Sequence, residues 1–306
     1  YIEPWDYWLD MGTFTREPTA EEVLAVLKGD IDSADVSRRE NARSVMVSGL
    51  YDKDGALYFR TVNAPWISGS GWSALFPTNT DPSLPENATF HNKAYVTWNL
   101  QLDPAFQRAG SLKASLDGVY LDSFQGYFPK TENYRKEHFA NITFPLQWDQ
   151  SNYEPVLLDL FTHYPLTEQI STRMHGQGRL VMANTISTLS TFFAQLVDVA
   201  GIEVNWFPEG RYEPDPDEVF NYRRSIMYQK PYLLLMNTNF DYMSYDYVEK
   251  YFKRCAHYAV FPSMFSADAS THPYWENSEL YERDRPLFRK YIPIIKELSR
   301  AGWEPI

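Results

Sequence analysis

The chain has 306 residues, of which 44% are hydrophobic and 22% are charged, as in an ordinary globular protein. Its formal net charge of −12 argues against nucleic acid or an anionic membrane surface as the main partner. No apolar run is long enough to span a bilayer, and no basic signal peptide opens the sequence. The opening YIEPWDYWLDMG is typical of a domain interior, so we expect a part of a longer polypeptide.

Cysteine and histidine usage gives no sign of a metal or a cofactor. Cys255 is the single cysteine, which excludes an intrachain disulfide. The 6 histidines show no HExxH or comparable ligand spacing. Aromatic residues make up 16% of the chain. Such residues pack cores, and they also bind sugars through a flat apolar face, so composition leaves both interpretations open.

The first third of the sequence predicts few strands and long loops. Residues 1–5 are strand-like, and Thr19 can cap a helix over residues 19–28. Two β-rich runs within residues 44–62 flank a turn of the sequence DKDG, which predicts a hairpin. We interpret residues 44–92 as an insertion over a binding site. Trp66 and Trp72 within it are candidate sugar platforms, or they pack the loop onto the body.

Further strands then alternate with helices, a pattern typical of a parallel sheet built from βα units. The predicted strands are 1–5, 94–100, 117–122, 179–184, 201–206, 231–237 and 257–263. The predicted helices after residue 100 are a short one from Asp103, then 154–173, 188–199, 217–228, 244–254 and 287–300.

This pattern predicts an α/β fold over residues 1–306. We expect a single (β/α)8 TIM-barrel domain that lacks its first strand in this chain and carries long βα-loop insertions. An open doubly wound sheet is the main alternative, and the absence of a Gly-rich phosphate loop weakens it.

Polar residues stand at the carboxyl ends of the predicted strands, where parallel barrels carry their active sites. Amide side chains both donate and accept hydrogen bonds, so their repetition suggests a pocket for a hydroxyl-rich ligand. The predicted strand-end residues are Glu3, Asp6, Asn99, Asp122, Asn184, Glu203, Asn205, Asn237 and Ser263.

Two of these carboxylates suggest glycoside hydrolysis, which needs a nucleophile and an acid/base. Asp122 ends the short apolar strand GVYL and is the predicted nucleophile. Glu203 is the predicted acid/base, because its apolar neighbours in the sequence favour the protonated form. Glu209 and Glu213 are rival acids.

The remaining strand-end residues are predicted to bind substrate. Glu3 and Asp6 would hold sugar hydroxyls or orient the catalytic pair, and Tyr120 and Trp206 complete the substrate-binding set with the amides. A structural hydrogen bond or a helix cap is the alternative for each carboxylate, and we favour it for Asp117.

The segment DGVYLDSF resembles the nucleophile strand of retaining α-glycosidase barrels. This group includes α-galactosidases, α-glucosidases and endo-α-N-acetylgalactosaminidases, and its strand reads Asp-Gly-aromatic-apolar-Asp. The matching positions here are Asp117, Gly118, Tyr120 and Asp122. The resemblance implies that Asp122 attacks the anomeric carbon, and it supports Glu203 by position. Ser123 and Phe124 replace the Met-Asn-Glu that follows the nucleophile in α-glucosidases.

These observations predict a retaining hydrolase that cleaves an α-linked oligo- or polysaccharide without a metal. A barrel that binds carbohydrate without cleaving it is one alternative, and a metal-dependent hydrolase or a lyase is another. Polysaccharide-degrading enzymes are commonly exported, which fits an extracellular or periplasmic location.

Overall fold

The computed structural model describes residues 1–64, 71–142, 144–266 and 274–301. It divides into two compact units, Tyr1–Arg179 and Leu180–Ile306. Both units combine helices with strands, which confirms the predicted α/β class, while a closed eight-stranded barrel stays a prediction. Within the described ranges, no helix is both long enough and apolar enough to cross a bilayer.

The first unit begins with a three-stranded antiparallel sheet. Its strands are β1 (Asp6–Asp10), β2 (Arg60–Asn63) and β3 (Trp72–Pro77), with β3 in the middle. Alternate residues of β1 point into a hydrophobic cluster shared with the first two helices. The fully buried members of this cluster are Tyr7, Leu9, Met11, Val23, Leu27, Ala42, Val45, Ala74 and Phe76.

Helix α1 (Ala20–Asp30) confirms the helix predicted over residues 19–28. The Thr19 hydroxyl accepts a hydrogen bond from the Glu22 amide at 3.3 Å. The Glu22 carboxylate accepts one from the Thr19 amide at 2.8 Å. This reciprocal capping box satisfies amides that the helix itself leaves unpaired.

The β-rich interpretation is wrong for residues 44–48, whereas Gly49 and Tyr51 each form an antiparallel bridge. Residues 44–48 end helix α2 (Val36–Ser48), which Asp35 caps by accepting a hydrogen bond from the Arg38 amide at 2.9 Å. Ala42, Val45 and Ser48 are buried at three-residue spacing, so the packed face is helical. Packing therefore overrides the strand preference of β-branched side chains. The DKDG turn itself is present, and it is closed by an antiparallel bridge between Tyr51 and Leu57.

The strand predicted over residues 94–100 is also wrong. Asn92 caps helix α3 (Lys93–Val96), which continues as a π-helix (Thr97–Leu102) and then as α4 (Asp103–Ser111). Buried residues recur here at helical spacing, with positions 93, 94, 97 and 98 on one side. The apparent alternation in the sequence AYVTWN was therefore accidental.

The first unit ends with short strands and one long helix. Strand β4 (Gly118–Leu121) is confirmed, whereas the strand predicted at residues 1–5 contributes one parallel bridge, between Ile2 and Leu121. Strand β7 pairs antiparallel with β5 and with β6, and α6 begins directly after β7. The predicted helix 154–173 therefore starts later than expected. The remaining elements are β5 (Glu132–Asn133), α5 (Lys136–Phe139), β6 (Gln147–Trp148), β7 (Pro155–Leu158) and α6 (Asp159–Gly176).

The second unit contains four parallel strands that pair in chain order. All four were predicted, within a few residues at their ends. The helix predicted at 188–199 is reduced to a 3₁₀ turn (Thr191–Leu196). The strands are β8 (Leu180–Asn184), β9 (Val199–Val204), β10 (Tyr232–Thr238) and β11 (Phe261–Ser266), and the helices are α7 (Asp217–Met227), α8 (Tyr245–His257) and α9 (Ser278–Arg300).

A valine pair on α2 tests the correction from strand to helix. Val45 is 0% exposed and Val36 is 51% exposed. We expect Val45→Ala to lower the free energy of unfolding by about 2 kcal/mol, because it leaves a cavity in a packed core. The matched Val36→Ala should change it by less than about 0.5 kcal/mol. Chemical denaturation measures both, and equal effects would contradict this packing.

Candidate active site

Asp122 stands at the carboxyl end of β4. Its amide donates to the carbonyl oxygen of Ile2 at 2.9 Å, and its carbonyl oxygen accepts from the Trp5 indole at 2.7 Å. The Tyr120 hydroxyl donates to Asp122 Oδ1 at 3.0 Å. Tyr120 and Asp122 therefore share one face, as the alternation of side chains predicts. Two hydrogen bonds therefore fix the backbone of Asp122, and the one from Tyr120 orients its carboxylate.

The turn after Asp122 packs against buried side chains. Ser123 and Gly126 both have positive φ, 45° and 68°. A Cβ atom on Gly126 would lie 3.1 Å from His163 Cε1 and 3.3 Å from Asp6 Oδ2, so a larger residue would crowd both. The next amide, that of Tyr127, donates to Asp6 Oδ2 at 3.1 Å. Asp6 thus anchors the turn that follows the predicted nucleophile.

Glu3 lies close enough to Asp122 for their charges to interact. Burial raises the pKa of Glu3, and the negative charge of Asp122 raises it further. The polar side chain of Tyr127 opposes this rise in the pKa. The structure therefore brings two predicted site residues together and places a carboxyl group that holds its proton more strongly beside Asp122.

Asp6 is buried more completely than Glu3, with 3% of its surface exposed. Burial raises the pKa of Asp6 to about 7, and the charge of Glu3 contributes to the rise. The hydrogen bond from the Tyr127 amide and the charge of Lys93 act in the opposite direction on this pKa. Asp6 therefore changes its protonation state near neutral pH, directly beneath the turn after Asp122.

Lys93 is a buried cation that the sequence analysis missed, because it lies between the predicted insertion 44–92 and the predicted strand 94–100. It is 2% exposed, and its ammonium donates to Asn41 Oδ1 at 3.1 Å. Burial lowers the pKa of Lys93 to about 8, while the charges of Asp6 and Glu3 act to raise it. The ammonium group of Lys93 thus lies close enough to Asp6 and Glu3 for their charges to interact.

Asp159 and His163 form a second buried pair on α6, one turn apart. Asp159 Oδ2 lies 3.8 Å from His163 Nε2, and both side chains are 0% exposed. Burial raises the pKa of Asp159 well above its ordinary value, and the charge of Asp6 adds to this. Burial lowers the pKa of His163 to about 3. His163 is therefore neutral near pH 7, and Asp159 holds its proton more strongly than an ordinary carboxyl group. The i,i+4 spacing was the one sequence signal that could have paired them.

Glu203 occupies the end of β9 in the second unit. Asn184 Nδ2 donates to Glu203 Oε1 at 2.9 Å, and Asn237 Nδ2 donates to Glu203 Oε2 at 2.8 Å. Asn184 ends β8, and Asn237 stands near the end of β10. The amides of the two flanking strands therefore hold the carboxylate in one orientation. Sequence reasoning named all three residues as neighbours at the strand ends.

The apolar surroundings expected for Glu203 are not present. Side chains alternate along β9, so Val204 is buried at 8% exposure while Glu203 points to the exposed face. Trp206 is 1% exposed, and its indole donates to Asp215 Oδ2 at 3.1 Å. Its ring has no free face for a sugar, so we now assign Trp206 to the core. Asn205 accepts hydrogen bonds from its own unit, including one from the Thr238 hydroxyl at 2.8 Å.

The rival acids interact with the same arginine. Glu209 Oε2 lies 3.7 Å from the Arg211 guanidinium, and Glu213 Oε1 lies 3.5 Å from it. Their side chains are 85% and 55% exposed, respectively. Glu203 is exposed as well, so exposure does not separate it from its rivals. What distinguishes Glu203 is that amides from both flanking strands orient its carboxylate, whereas both rivals lie beside an arginine.

Neither Asn99 nor Trp72 stands at the carboxyl end of a strand. Asn99 stands in the π-helix, and its amide donates to the Tyr95 carbonyl oxygen at 3.0 Å, so the strand-end argument for it is wrong. Trp72 opens β3 and packs against the hydrophobic cluster of the first unit, as the structural alternative supposed. Trp66 lies outside the described residues.

The carboxylates offer acid, base and nucleophile chemistry without a ready-made metal cage. No group of three or more His, Cys, Asp or Glu side chains in the described ranges is arranged to hold a metal ion. Burial raises the pKa of Glu3 and of Asp6, and both carboxyl groups lie close to Asp122 or to the turn after it. Such a set can bind hydroxyls and exchange protons with them.

The buried state of Asp6 predicts a pH-dependent stability. The folded chain keeps the Asp6 proton up to about pH 7, whereas the unfolded chain releases it near the ordinary value of 3.8. The stability from this residue is therefore fully present below that value and is lost as pH rises to about 7. We expect Asp6→Asn to make the decline in unfolding free energy over this range shallower.

Denaturation at several pH values measures this slope. Asp54→Asn, a substitution of the same kind at a side chain that is 77% exposed, is the matched control and should keep the wild-type slope. If Asp6→Asn also keeps that slope, the enclosure of Asp6 is incorrect.

Comparisons of the chain with protein-family models, with curated proteins and with solved structures found no match. Two features of the chain therefore bear on its function. Asp122 and Glu203 each stand at the end of a strand, and the segment that ends near Asp122 resembles a nucleophile strand.

Proposed function

We propose that this chain is a glycoside hydrolase that cleaves an α-linked sugar with retention, using Asp122 as nucleophile and Glu203 as acid/base. The observation that carries the proposal is the position of each carboxylate at the carboxyl end of a parallel strand, among groups that bind hydroxyls. The resemblance of the segment ending at Asp122 to the nucleophile strand of α-glycosidases supports the α-specific, retaining form.

The proposed reaction has two balanced steps. Asp122 attacks the anomeric carbon, the bond to the leaving oxygen breaks, and Glu203 gives that oxygen its proton. The product of this step is a glycosyl ester on Asp122. Glu203, now ionised, removes a proton from water, and the resulting attack on the anomeric carbon releases the sugar and restores both carboxyl groups.

Residues near Asp122 would prepare it for this chemistry. The Tyr120 hydroxyl donates to Oδ1 and so orients the carboxylate that would attack. Glu3, which is only partly buried, would hold sugar hydroxyls, as carboxylates accept two hydrogen bonds per oxygen. Asp6 is enclosed beneath the turn after Asp122, so it would orient the nucleophile and would not contact sugar. Under this proposal the parallel βα units belong to a (β/α)8 barrel, whose active site always lies at the carboxyl ends of its strands.

A carbohydrate-binding function without cleavage is the second candidate, and one observation favours it. Both oxygens of Glu203 already accept amide hydrogen bonds, at 2.9 and 2.8 Å. A carboxylate occupied in this way can serve as an acceptor in a hydroxyl-binding network. Catalysis requires that Asn184 or Asn237 yield its place when the leaving oxygen arrives.

Asp122→Asn tests the nucleophile. We expect turnover of aryl α-glycosides of glucose, galactose or N-acetylgalactosamine to fall at least about a thousandfold, because an amide cannot form the glycosyl ester. Asp117→Asn, at the exposed residue before β4, is the matched control and should retain activity. In the wild type, mass spectrometry after reaction with a slow fluoro-sugar substrate should find the adduct on Asp122. Unchanged turnover in Asp122→Asn would contradict the assignment of Asp122 as the nucleophile.

Glu203→Gln tests the acid. Loss of a general acid costs about 100- to 10,000-fold on a poor leaving group such as a second sugar. A nitrophenyl glycoside leaves without a proton, so its first step should be affected much less, and added azide should restore turnover. Glu209→Gln provides the comparison at the rival residue. If Glu209→Gln shows this leaving-group pattern and Glu203→Gln does not, the acid has been assigned to the wrong residue.

A further inference from the structure

A cavity opens between β1 and α2, within the first unit. It has a volume of about 260 Å³ and is lined by Tyr7, Trp8, Asp10, Ser37, Arg38 and Asn41. Ligand pockets for drug-sized molecules usually measure about 300–1,000 Å³. The cavity is therefore of the size expected for one small ring rather than for an extended ligand.

Trp8 connects this cavity to the candidate active site. Its ring meets the ring of Tyr127 edge to face, with centroids 5.1 Å apart. Trp8 and Tyr127 also both act on the pKa of Glu3, so they lie next to that carboxyl group. One indole thus forms a wall of the cavity on one side and borders Glu3 on the other.

Hydrogen-bond donors are fixed on the α2 side of the cavity. Lys93 donates to Asn41 Oδ1 at 3.1 Å, which sets the orientation of the amide, and Asn41 Nδ2 uses one proton on the Ser37 carbonyl oxygen at 2.9 Å. The Arg38 guanidinium contacts Asp30 at 2.9 Å while its side chain is 51% exposed. An amide N–H and guanidinium N–H groups are therefore available in fixed positions.

On the β1 side of the cavity, Asp10 supplies a hydrogen-bond acceptor. Asp10 Oδ1 accepts from the Gly12 amide at 2.7 Å, which orients the carboxylate. Asp10 and Trp8 lie two residues apart on one face of β1. The charged groups that line the cavity or bond to its lining are Asp10, Asp30, Arg38 and Lys93. Their charges cancel, so the cavity favours neither an anion nor a cation. An aromatic face with donors and an acceptor around it suits an uncharged ring that carries hydroxyls.

We propose that this cavity binds the sugar ring next to the one that is cleaved, with Trp8 as the apolar wall and Asp10, Arg38 and Asn41 as hydroxyl partners. The inference rests on the proposed function, because it takes the ligand to be a saccharide of at least two rings. It makes the chain selective for oligosaccharides over single-ring glycosides. Selectivity of this kind raises affinity through a contact remote from the broken bond.

The test is a binding titration in the Asp122→Asn variant, in which bound sugar is not consumed. The probes are α-linked disaccharides and trisaccharides of glucose, galactose and N-acetylgalactosamine, with the methyl α-glycosides as single-ring references. The readout is the indole N–H resonance of Trp8, assigned with Trp8→Phe. We expect a saturable shift with an oligosaccharide and an affinity at least tenfold above that of the single-ring reference.

Asp10→Asn and Arg38→Gln, each added to Asp122→Asn, should abolish that tenfold advantage. Asp32→Asn, at a side chain that is 88% exposed, is the matched control and should preserve it. Each added variant needs a wild-type denaturation curve before its affinity is interpreted. An advantage that survives both Asp10→Asn and Arg38→Gln overturns the inference, as does an oligosaccharide that binds without shifting the Trp8 resonance.

Turnover separates failure of this inference from failure of the proposed function. If the wild type hydrolyses α-glycosides but oligosaccharides gain no affinity through Asp10 and Arg38, the second ring site is wrong and the hydrolase stands. If no glycoside is hydrolysed but the Trp8 shift and its loss in the variants are observed, the site stands in a binding protein. If no saccharide binds or reacts, both are overturned.

Discussion

The enclosure of Asp6 is the interaction on which the candidate site of the first unit depends. Its carboxyl group accepts a hydrogen bond from the Tyr127 amide, and it would meet any side chain placed at Gly126. The charges of Glu3 and Lys93 act in opposite directions on its pKa. An unpaired charge in such a place would cost several kcal/mol, and the shifts of Asp6 and Lys93 toward their neutral forms are the physical response. The turn after Asp122 can close only because Asp6 accepts its amide. Stability and site geometry are therefore coupled through one buried carboxyl group.

Each unit orients a carboxylate at the end of a strand, but different side chains do so in the two units. In the first unit, Asp122 is held by a neighbouring tyrosine and lies above buried titratable groups. In the second, Glu203 is held by amides from both flanking strands and faces the exposed side of its sheet. In each unit a carboxylate therefore stands at the end of a strand and is oriented by side chains of its own unit.

Strand β4, the parallel strands of the second unit and the polar residues at their ends were predictable from the sequence. Each is a short apolar run between turn signals, and the signal is local. The position of Asn184 and Asn237 beside Glu203 followed from the same rule. The start of α1 was also predictable from the sequence, since Thr19 and Glu22, which form its capping box, lie within four residues of each other.

Other parts depend on contacts that are distant in sequence. Helix α2 contains Val45 and Val47, which favour strands locally, and only its packing against β1 reveals the helical face. Lys93, Asp159 and His163 resemble ordinary helical residues in the sequence, and their burial comes from tertiary packing. Trp206, which was predicted to contact substrate, is buried by packing against Phe220 and Tyr251, two residues distant from it in the sequence.

The central claim is that Asp122 and Glu203 act as a catalytic pair, and the separation of their carboxyl groups in a crystal structure tests it most directly. A retaining mechanism requires about 5–5.5 Å between them, which is the result we predict. A separation of about 6.5–9.5 Å would indicate an inverting enzyme and would contradict the covalent step on Asp122. A larger distance, or carboxylates that face different spaces, would contradict the pair altogether.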